Sequence, residues 1–479
     1  MKKITNCVLL IGFFLTLLFP LSTKLKAQVP YFEKSFGEPG VDIAFSVKQD
    51  GDSSVYVFGY SNNTSTSQED FALSKLRPNG DLIWTKYYGT PAIDFGLYMN
   101  LADSFDVIMV GHIETNTSLG QEILVIKVDS SGQELWRRNY GGIGNQSCRY
   151  IEKTTDGNYI LCGYRTDPFG QNDIYVLKLD ANGNFLWDAS FGGINNDYGM
   201  KAFETPGHKL LMSADTKSSG NGGYDAAIYE LDSLGNELWS NLYGDQFQNG
   251  CQGVMLTSSN VNVVFGETEV FQFSPFDFFL YMFDSTGAFL REKVFGGLGT
   301  DALFDMLETP TGDLIGCGYS NSASNGVLPL NLALVKTDSL GNVQFVREYG
   351  SSGIDIGYSI TPALGGGYYV AGRITNADED FYLLHIDENG LVGLNENAAL
   401  STSKISIWPN PTREYLTVNS GFKAESWAVF DLKGKELMHF EGELSNVKTI
   451  NISNLAGGIY LLELRSVNKK ESSKFIKLD

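Results

Sequence analysis

Histidine is scarce in this 479-residue sequence. His112, His208, His385 and His439 are far apart, and they make no HExxH motif, no Cys/His zinc pattern and no His-based nucleophilic triad. Cysteine is almost as rare, with five in all. Cys7 lies within an apolar leader rather than directly after a lipobox-like sequence, which disfavours a lipid anchor of that type. Cys148 and Cys162 flank one predicted hairpin and are candidates for a disulfide; Cys162 and Cys317 also share a repeat position that suits a small buried thiol. Basic side chains are outnumbered, 35 against 56 acidic ones, for a formal charge of -21. The leader and residues 401–479 are each net positive, so the acidity belongs to the middle of the chain. That distribution speaks against a nucleic-acid partner, because phosphate binding needs dense positive charge. Past the leader no apolar run approaches the roughly 20 residues of a membrane span, so no integral membrane segment is expected in the mature protein. Helical periodicity is largely missing as well.

What is present is organised. Lys2 and Lys3 precede an apolar run from Val8 to Phe19, and a less apolar stretch ends at Lys26-Ala27-Gln28. Residues 1–27 therefore read as a secretory signal peptide. The aromatic-Gly dipeptide then recurs as Phe36-Gly37, Tyr88-Gly89, Tyr140-Gly141, Phe191-Gly192, Tyr243-Gly244, Phe295-Gly296 and Tyr349-Gly350, about every 52 residues. Turn glycines keep the same beat at Gly80, Gly132, Gly183, Gly235, Gly287, Gly341 and Gly390. Four residues after the first four of them stand Trp84, Trp136, Trp187 and Trp239, followed by Arg291, Phe345 and Leu394 in the later units.

Each unit accommodates four strands, placed in the third unit near 148–154, 159–164, 173–179 and 185–191, with Asp-Gly and Asn-Gly at the hairpins. The third strands, such as Asp173-Ile174-Tyr175-Val176-Leu177-Lys178-Leu179, are apolar on both alternating faces, as a strand squeezed between two neighbouring sheets would be. Radially stacked sheets supply that environment. The expected fold is all-β: a seven-bladed propeller of four-stranded blades over 28–395, a linker over 396–403, and a small C-terminal β-sandwich over 404–479. Residues 31–36 carry a fourth-strand pattern with Phe32 in the Trp position, while the last unit's own fourth strand is eroded, so the N-terminal strand is expected to complete the last blade.

The C-terminal segment follows another rule. Ile407-Trp408-Pro409-Asn410-Pro411, Val429-Phe430-Asp431-Leu432-Lys433-Gly434-Lys435, Leu455-Ala456-Gly457-Gly458-Ile459-Tyr460 and Lys474-Phe475-Ile476-Lys477-Leu478 resemble the C-terminal sorting domain of the type IX secretion system of Bacteroidota. The resemblance covers about 75 residues at one end, with Pro409, Asn410, Pro411, Gly457, Gly458 and Tyr460 carrying its motifs. It implies the type IX secretion machinery as partner and a secreted or outer-cell-surface product. The repeat units resemble, more loosely, the uncharacterised propeller-like repeats found beside that domain, which implies architecture rather than chemistry.

Candidates for chemistry are weak. Acidic or amide residues open the third strands at Asp70, Glu122, Asp173, Asp225, Asp277, Asn331 and Asp380, and another set follows the aromatic-Gly step at Asp42, Asp94, Gln146, Asp197, Asn249, Asp301 and Asp355. Side chains repeated in every unit point to a shared structural task such as accepting backbone hydrogen bonds. A ring of calcium sites is the alternative, although there is no EF-hand pattern. No other cofactor is expected. Lys75, Lys127, Lys178 and Lys336 stand beside their strand's opening residue in the repeat alignment and are expected to make ion pairs within or between units rather than to act as independent catalytic lysines. The fifth unit departs from the pattern: it lacks the Trp and carries an aromatic loop with Phe271, Phe273 and Phe276, which either folds over that unit as a cap or, if exposed, forms a recognition patch. The leading functional expectation is a binding module for a glycan or protein; the alternatives are an extracellular polysaccharide hydrolase or lyase, and a structural component of a surface layer.

Overall fold

The computed structural model describes residues 30–392, apart from 64, 65, 67, 103, 104, 116–119, 221, 271–274, 325, 327 and 328, together with 406–410, 412–419, 424–431, 435–442, 447–466 and 469–477. The leader, the linker, Phe271, Phe273, Leu394 and Pro411 lie outside the described residues.

Residues 32–386 build a propeller-like series of seven four-stranded antiparallel sheets. Six of these units are continuous in sequence: 42–88, 94–140, 146–191, 197–243, 249–295 and 301–349. The seventh takes its first three strands, Ile356–Pro362, Tyr368–Thr375 and Glu379–Ile386, from one end of the repeat and its fourth, Phe32–Phe36, from the other, with Phe32 opposite His385 and Phe36 opposite Phe381. The first strand of each unit packs against the first strand of the next, and the cycle returns from Ile356–Pro362 to Asp42–Gln49. Third strands are buried along most of their length, as in Phe276–Phe283, whereas fourth strands such as Glu237–Tyr243 alternate between exposed and half-buried side chains.

The repeated residues hold neighbouring units together. The rings of Trp84, Trp136, Trp187 and Trp239 lie against the turn glycines Gly132, Gly183, Gly235 and Gly287 of the following unit, and Phe32 lies in the same way against Gly80. Tyr88 Oη donates to the Gly132 carbonyl at 2.8 Å and Tyr243 Oη to that of Gly287 at 2.7 Å. The aspartates after the aromatic-Gly step accept a backbone N–H: Glu38 N donates to Asp42 at 2.7 Å, Gly193 N to Asp197 at 3.0 Å and Gly297 N to Asp301 at 3.1 Å. Across the same junction the third-strand aspartate closes in. A Cβ on Gly296 would stand 2.0 Å from Asp277 Oδ1 and 2.6 Å from Asp301 Oδ2, so two carboxylates from adjacent units leave room for glycine only.

The lysines make ion pairs within their own units, though not with the residue that opens their strand: Lys127 meets Asp106 at 3.5 Å, Lys178 meets Asp156 at 2.8 Å and Lys336 meets Asp313 at 3.5 Å, each in the first hairpin turn of its own unit. Five residues of strand span about 17 Å, and an odd offset turns the two side chains to opposite faces. In the fourth unit the polarity is reversed, with Lys209 on Glu230 at 2.7 Å. The cysteines Cys148, Cys162, Cys251 and Cys317 are free and fully buried. Cys148 is paired with Gly163 and Cys162 with Tyr150, so the two thiols occupy successive rather than opposed positions.

The C-terminal residues form a three-stranded sheet (Ser406–Trp408, Tyr415–Asn419, Val447–Asn451) and a four-stranded one (Glu436–Glu441, Ser426–Asp431, Gly458–Ser466, Lys469–Lys477). Leu416, Val418 and Ile450 from the first share a core with Trp427, Val429, Leu462, Leu464 and Phe475 from the second. The strand Glu436–Glu441 was not anticipated, because its side chains are mostly exposed and show no alternation. Asn410 Oδ1 accepts Ile476 N at 2.7 Å, and Tyr460 Oη donates to the Ala456 carbonyl at 2.8 Å, so these motif residues fasten the last strand and its approach. Trp408 Nε1 donates to the Val343 carbonyl at 2.8 Å, a contact with the sixth unit.

Candidate functional site

Every one of the seven first strands carries a β-bulge at the same place. The residues left unpaired are Phe45, Leu97, Arg149, Met200, Gln252, Phe304 and Tyr358. A bulge bends its strand and re-aims the extra side chain. On the partner strand, the position following the small residue Gly59, Gly111, Gly163, Ala214, Gly266, Gly318 or Gly372 is occupied by Tyr60, His112, Tyr164, Asp215, Glu267, Tyr319 and Arg373. The backbone repeats; the chemistry at these two positions does not.

Recorded contacts join these side chains from unit to unit. The Phe45 ring is tilted against Tyr358 at 4.5 Å and against Tyr60 at 5.8 Å; Tyr60 lies edge-on to Phe95 at 4.9 Å, and Phe95 meets His112 at 5.2 Å. His112 Nδ1 is 3.0 Å from Ser147 Oγ in the third unit, where Tyr164 meets Tyr198 of the fourth at 5.2 Å. Asp215 accepts the Cys251 backbone N–H from the fifth unit. Tyr319 Oη of the sixth unit donates to Glu267 Oε2 at 3.0 Å, and Phe304 returns to Tyr358 at 5.1 Å. Together they form an aromatic and polar mouth at the end where the first strands begin.

Beneath the mouth lies a second layer, made by the residues after the bulges: Ser46, Tyr98, Tyr150, Lys201, Gly253, Asp305 and Ser359. Lys201 of the fourth unit is 3.6 Å from Asp305 of the sixth and lies over the Tyr150 ring of the third at 5.1 Å. Asp305 Oδ2 in turn accepts the Ile360 N–H of the seventh at 3.1 Å. The Lys201–Asp305 contact skips the fifth unit, so the mouth is a cup with a charged floor. Deeper still, Lys48 Nζ is 3.1 Å from Tyr98 Oη. Burial pulls Lys48 downward, but Tyr98, Asp305 and Glu152 outweigh it and hold the ammonium charged.

Burial sets the protonation of the mouth. Asp215 is pushed up to about 8 by desolvation, with Glu267 adding to the rise while the Cys251 N–H and Arg149 oppose it. Glu267 is raised by burial against the pull of Tyr319. His112 is held down at about 4 by burial and then by Arg149. At neutral pH the mouth therefore presents a neutral imidazole, a largely protonated Asp215 and the exposed guanidinium of Arg149. Groups with perturbed ionisation gathered in a concave site mark a functional candidate.

The residues singled out from sequence lie elsewhere. Trp84, Trp136, Trp187 and Trp239 stand on the fourth strands, and Asp70, Asp173, Asp225, Asp277 and Asp380 at the unit junctions. Phe276 is half-buried and opposite Glu269. Near it, between the fourth and fifth units, lies a cavity of about 430 Å³ lined by Tyr243, Asp245, Glu269, Val270, Phe289 and Glu292 among others. Among the described residues no three His, Cys, Asp or Glu side chains come together as a metal cluster, and no helix is long and apolar enough to cross a membrane. Repeated positions do not mark the mouth; its sequence signal is the one position after each second-strand glycine or alanine, which changes in chemistry between units.

Comparison with known proteins places the C-terminal part. Residues 406–478 match the family described as a secretion system C-terminal sorting domain. A search of curated proteins finds no match. Among solved structures the chain is similar to PorZ, a surface component of the type IX secretion system of Porphyromonas gingivalis, at 12% identity and a TM-score of 0.41, covering 93% of this chain and 60% of that one. It is also similar to the Pan2 WD40 domain of Neurospora crassa, with 12% identity, a TM-score of 0.46 and coverage of 76% and 97%. The β-propeller domain of the Trilobed protease from Pyrococcus furiosus gives 9% identity, a TM-score of 0.44 and coverage of 76% and 99%. The chain thus spans 60% of the length of PorZ.

Proposed function

From a chain that ends in a type IX sorting domain, and is thereby a secreted or cell-surface protein, we propose a closed seven-bladed propeller over 28–395 that binds extracellular glycan in its axial mouth. A leader over 1–27, a linker over 396–403 and a small export sandwich over 404–479 complete the chain. Closure is supported by the pairing of Phe32–Phe36 with Glu379–Ile386 and by the cycle of first-strand contacts. The amides of Phe32–Phe36 are expected to exchange as slowly as those of Glu379–Ile386, whereas fast exchange confined to Phe32–Phe36 would show an open ring.

One observation carries the glycan reading: seven equivalent positions hold Tyr, His, Tyr, Asp, Glu, Tyr and Arg above a floor bridged by Lys201 and Asp305. Sugars combine apolar ring faces with dense hydroxyls, and aromatic planes interleaved with hydrogen-bonding groups answer both. In a glycan-array screen with the full chain, replacing both Tyr164 and Tyr198 by alanine is expected to weaken binding at least about tenfold, corresponding to ~1.4 kcal/mol. Unchanged binding would move the ligand away from the mouth.

A second reading, polysaccharide hydrolysis or elimination, is favoured by Asp215 held in its acid form beside Glu267. On that reading Asp215→Asn reduces turnover by roughly 10²-fold or more with saccharide binding retained.

A further inference from the structure

Arg149 is the bulge residue of the third unit, and its guanidinium is exposed in the mouth. The contact recorded for it is the Met200 sulfur, 3.8 Å from Nη1. Three other cations on this side are paired with carboxylates, Arg373 Nη1 2.8 Å from Glu379, Arg165 Nη1 2.8 Å from Asp188 and Lys201 3.6 Å from Asp305, while Lys217 lies over the Tyr224 ring at 5.5 Å. Arg149 has no such carboxylate among the described residues. The acid that could serve, Asp215, is bound instead to the Cys251 N–H and buried to 9% exposure. The ring groups on which its charge acts, His112 and Tyr164, bring no negative charge; His112 already faces Ser147 and Tyr164 Oη donates to Gln121 at 3.1 Å. An exposed guanidinium fork with no carboxylate partner is suited to a planar or tetrahedral oxyanion, which it holds by two parallel charge-assisted hydrogen bonds.

We propose that the mouth selects an anionic saccharide, one bearing a carboxylate or a sulfate ester, and that Arg149 is the residue that reads its charge. This rests on the mouth being a glycan site. The overall charge of -21 repels polyanions at long range, so selectivity of this kind has to come from a local contact rather than from electrostatic steering. Aromatic neighbours hold the sugar ring, and Arg149 decides which ring is held.

The test uses the full secreted chain in calorimetric titrations with three hexasaccharides: an oligogalacturonate, a sulfated galactan fragment and a neutral cellohexaose. One of the two anionic ligands is expected to bind at least tenfold more tightly than the neutral one. Arg149→Gln is expected to reduce that affinity at least tenfold while changing neutral-sugar binding less than twofold, and Arg149→Lys is expected to restore only part of it, because an ammonium cannot bind as a fork. The preferred anion separates uronate from sulfate recognition. If neutral and anionic ligands bind alike and Arg149→Gln changes nothing, the mouth is a glycan site without charge selection and the role of Arg149 is overturned. If none of the three ligands binds, both the glycan reading and this inference fall. Arg149 is exposed, so the unfolding midpoint of each variant should match that of the native chain.

Discussion

Gly318→Ala is expected to destabilise the protein by about 3 kcal/mol or more, a range associated with steric conflict inside a packed core. A Cβ at this position would stand 1.8 Å from the Ala302 carbonyl oxygen and 2.9 Å from the Leu303 Cα, both backbone atoms of the facing strand beside its bulge. No rotamer change can relieve that contact. Gly59, Gly163 and Gly372 meet the carbonyls of Ile43, Ser147 and Ile356 in the same way, so each should respond alike. The fourth unit carries Ala214, fully buried, at this place; its strands are set to admit a methyl. Denaturant titration provides the check: a lower midpoint with an unchanged slope supports the steric account, and a wild-type midpoint refutes it. Gly312→Ala is the control. Its Cβ would meet open space, and only its φ of +84° is unfavourable, so a loss of about 1 kcal/mol is expected.

The contribution of Asp277 to stability is also expected to fall as pH rises from about 4 to about 8. Asp277 is 4% exposed, and burial followed by the charge of Asp301 raises it from 3.8 to about 8. Within that window the folded chain keeps a proton that the unfolded chain releases. Each unit of pH then removes up to about 1.4 kcal/mol per such group, and the loss ends once the folded carboxyl ionises. Asp42, Asp94 and Asp301, each raised to about 6 mainly by burial, add to the same trend over the lower part of the window. Asp277→Asn keeps the shape and removes the titration. At pH 8 it should melt at a higher temperature than the native chain, with a gain on the order of 1–3 kcal/mol, and at pH 4 the difference should nearly vanish. Parallel melting curves across the range would contradict the buried-acid account.

Both expectations concern residues whose repetition was visible in the sequence while their tasks were not. The aromatic-Gly step announces a junction, but only the fold shows that Gly296 lies between two carboxylates from different units. Lys178 is visible as a repeated cation; its partner Asp156 stands at the far end of its strand in another hairpin turn, a pairing fixed by strand register rather than by spacing along the chain. Phe32 was legible as a stand-in for tryptophan, and it rests on Gly80 as the tryptophans rest on their own glycines.

The mouth was the least legible part. Asp215, Glu267, Arg149 and Tyr319 are each unremarkable in a chain rich in such residues, and about 50 residues separate each equivalent position from the next. They come together because one strand register, repeated in every unit, sets the first-strand bulge that carries Arg149 beside the second-strand position that carries Asp215, Glu267 and Tyr319 in other units. Periodicity therefore determined the all-β repeat, and the local motifs at the end of the chain determined where the protein is sent, because both depend on short-range pattern. Which carboxyl stays protonated, which guanidinium stays unpaired and what closes the floor of the cup were decided by tertiary structure alone: burial and juxtaposition depend on how the units are set around the axis, and no stretch of sequence contains that information.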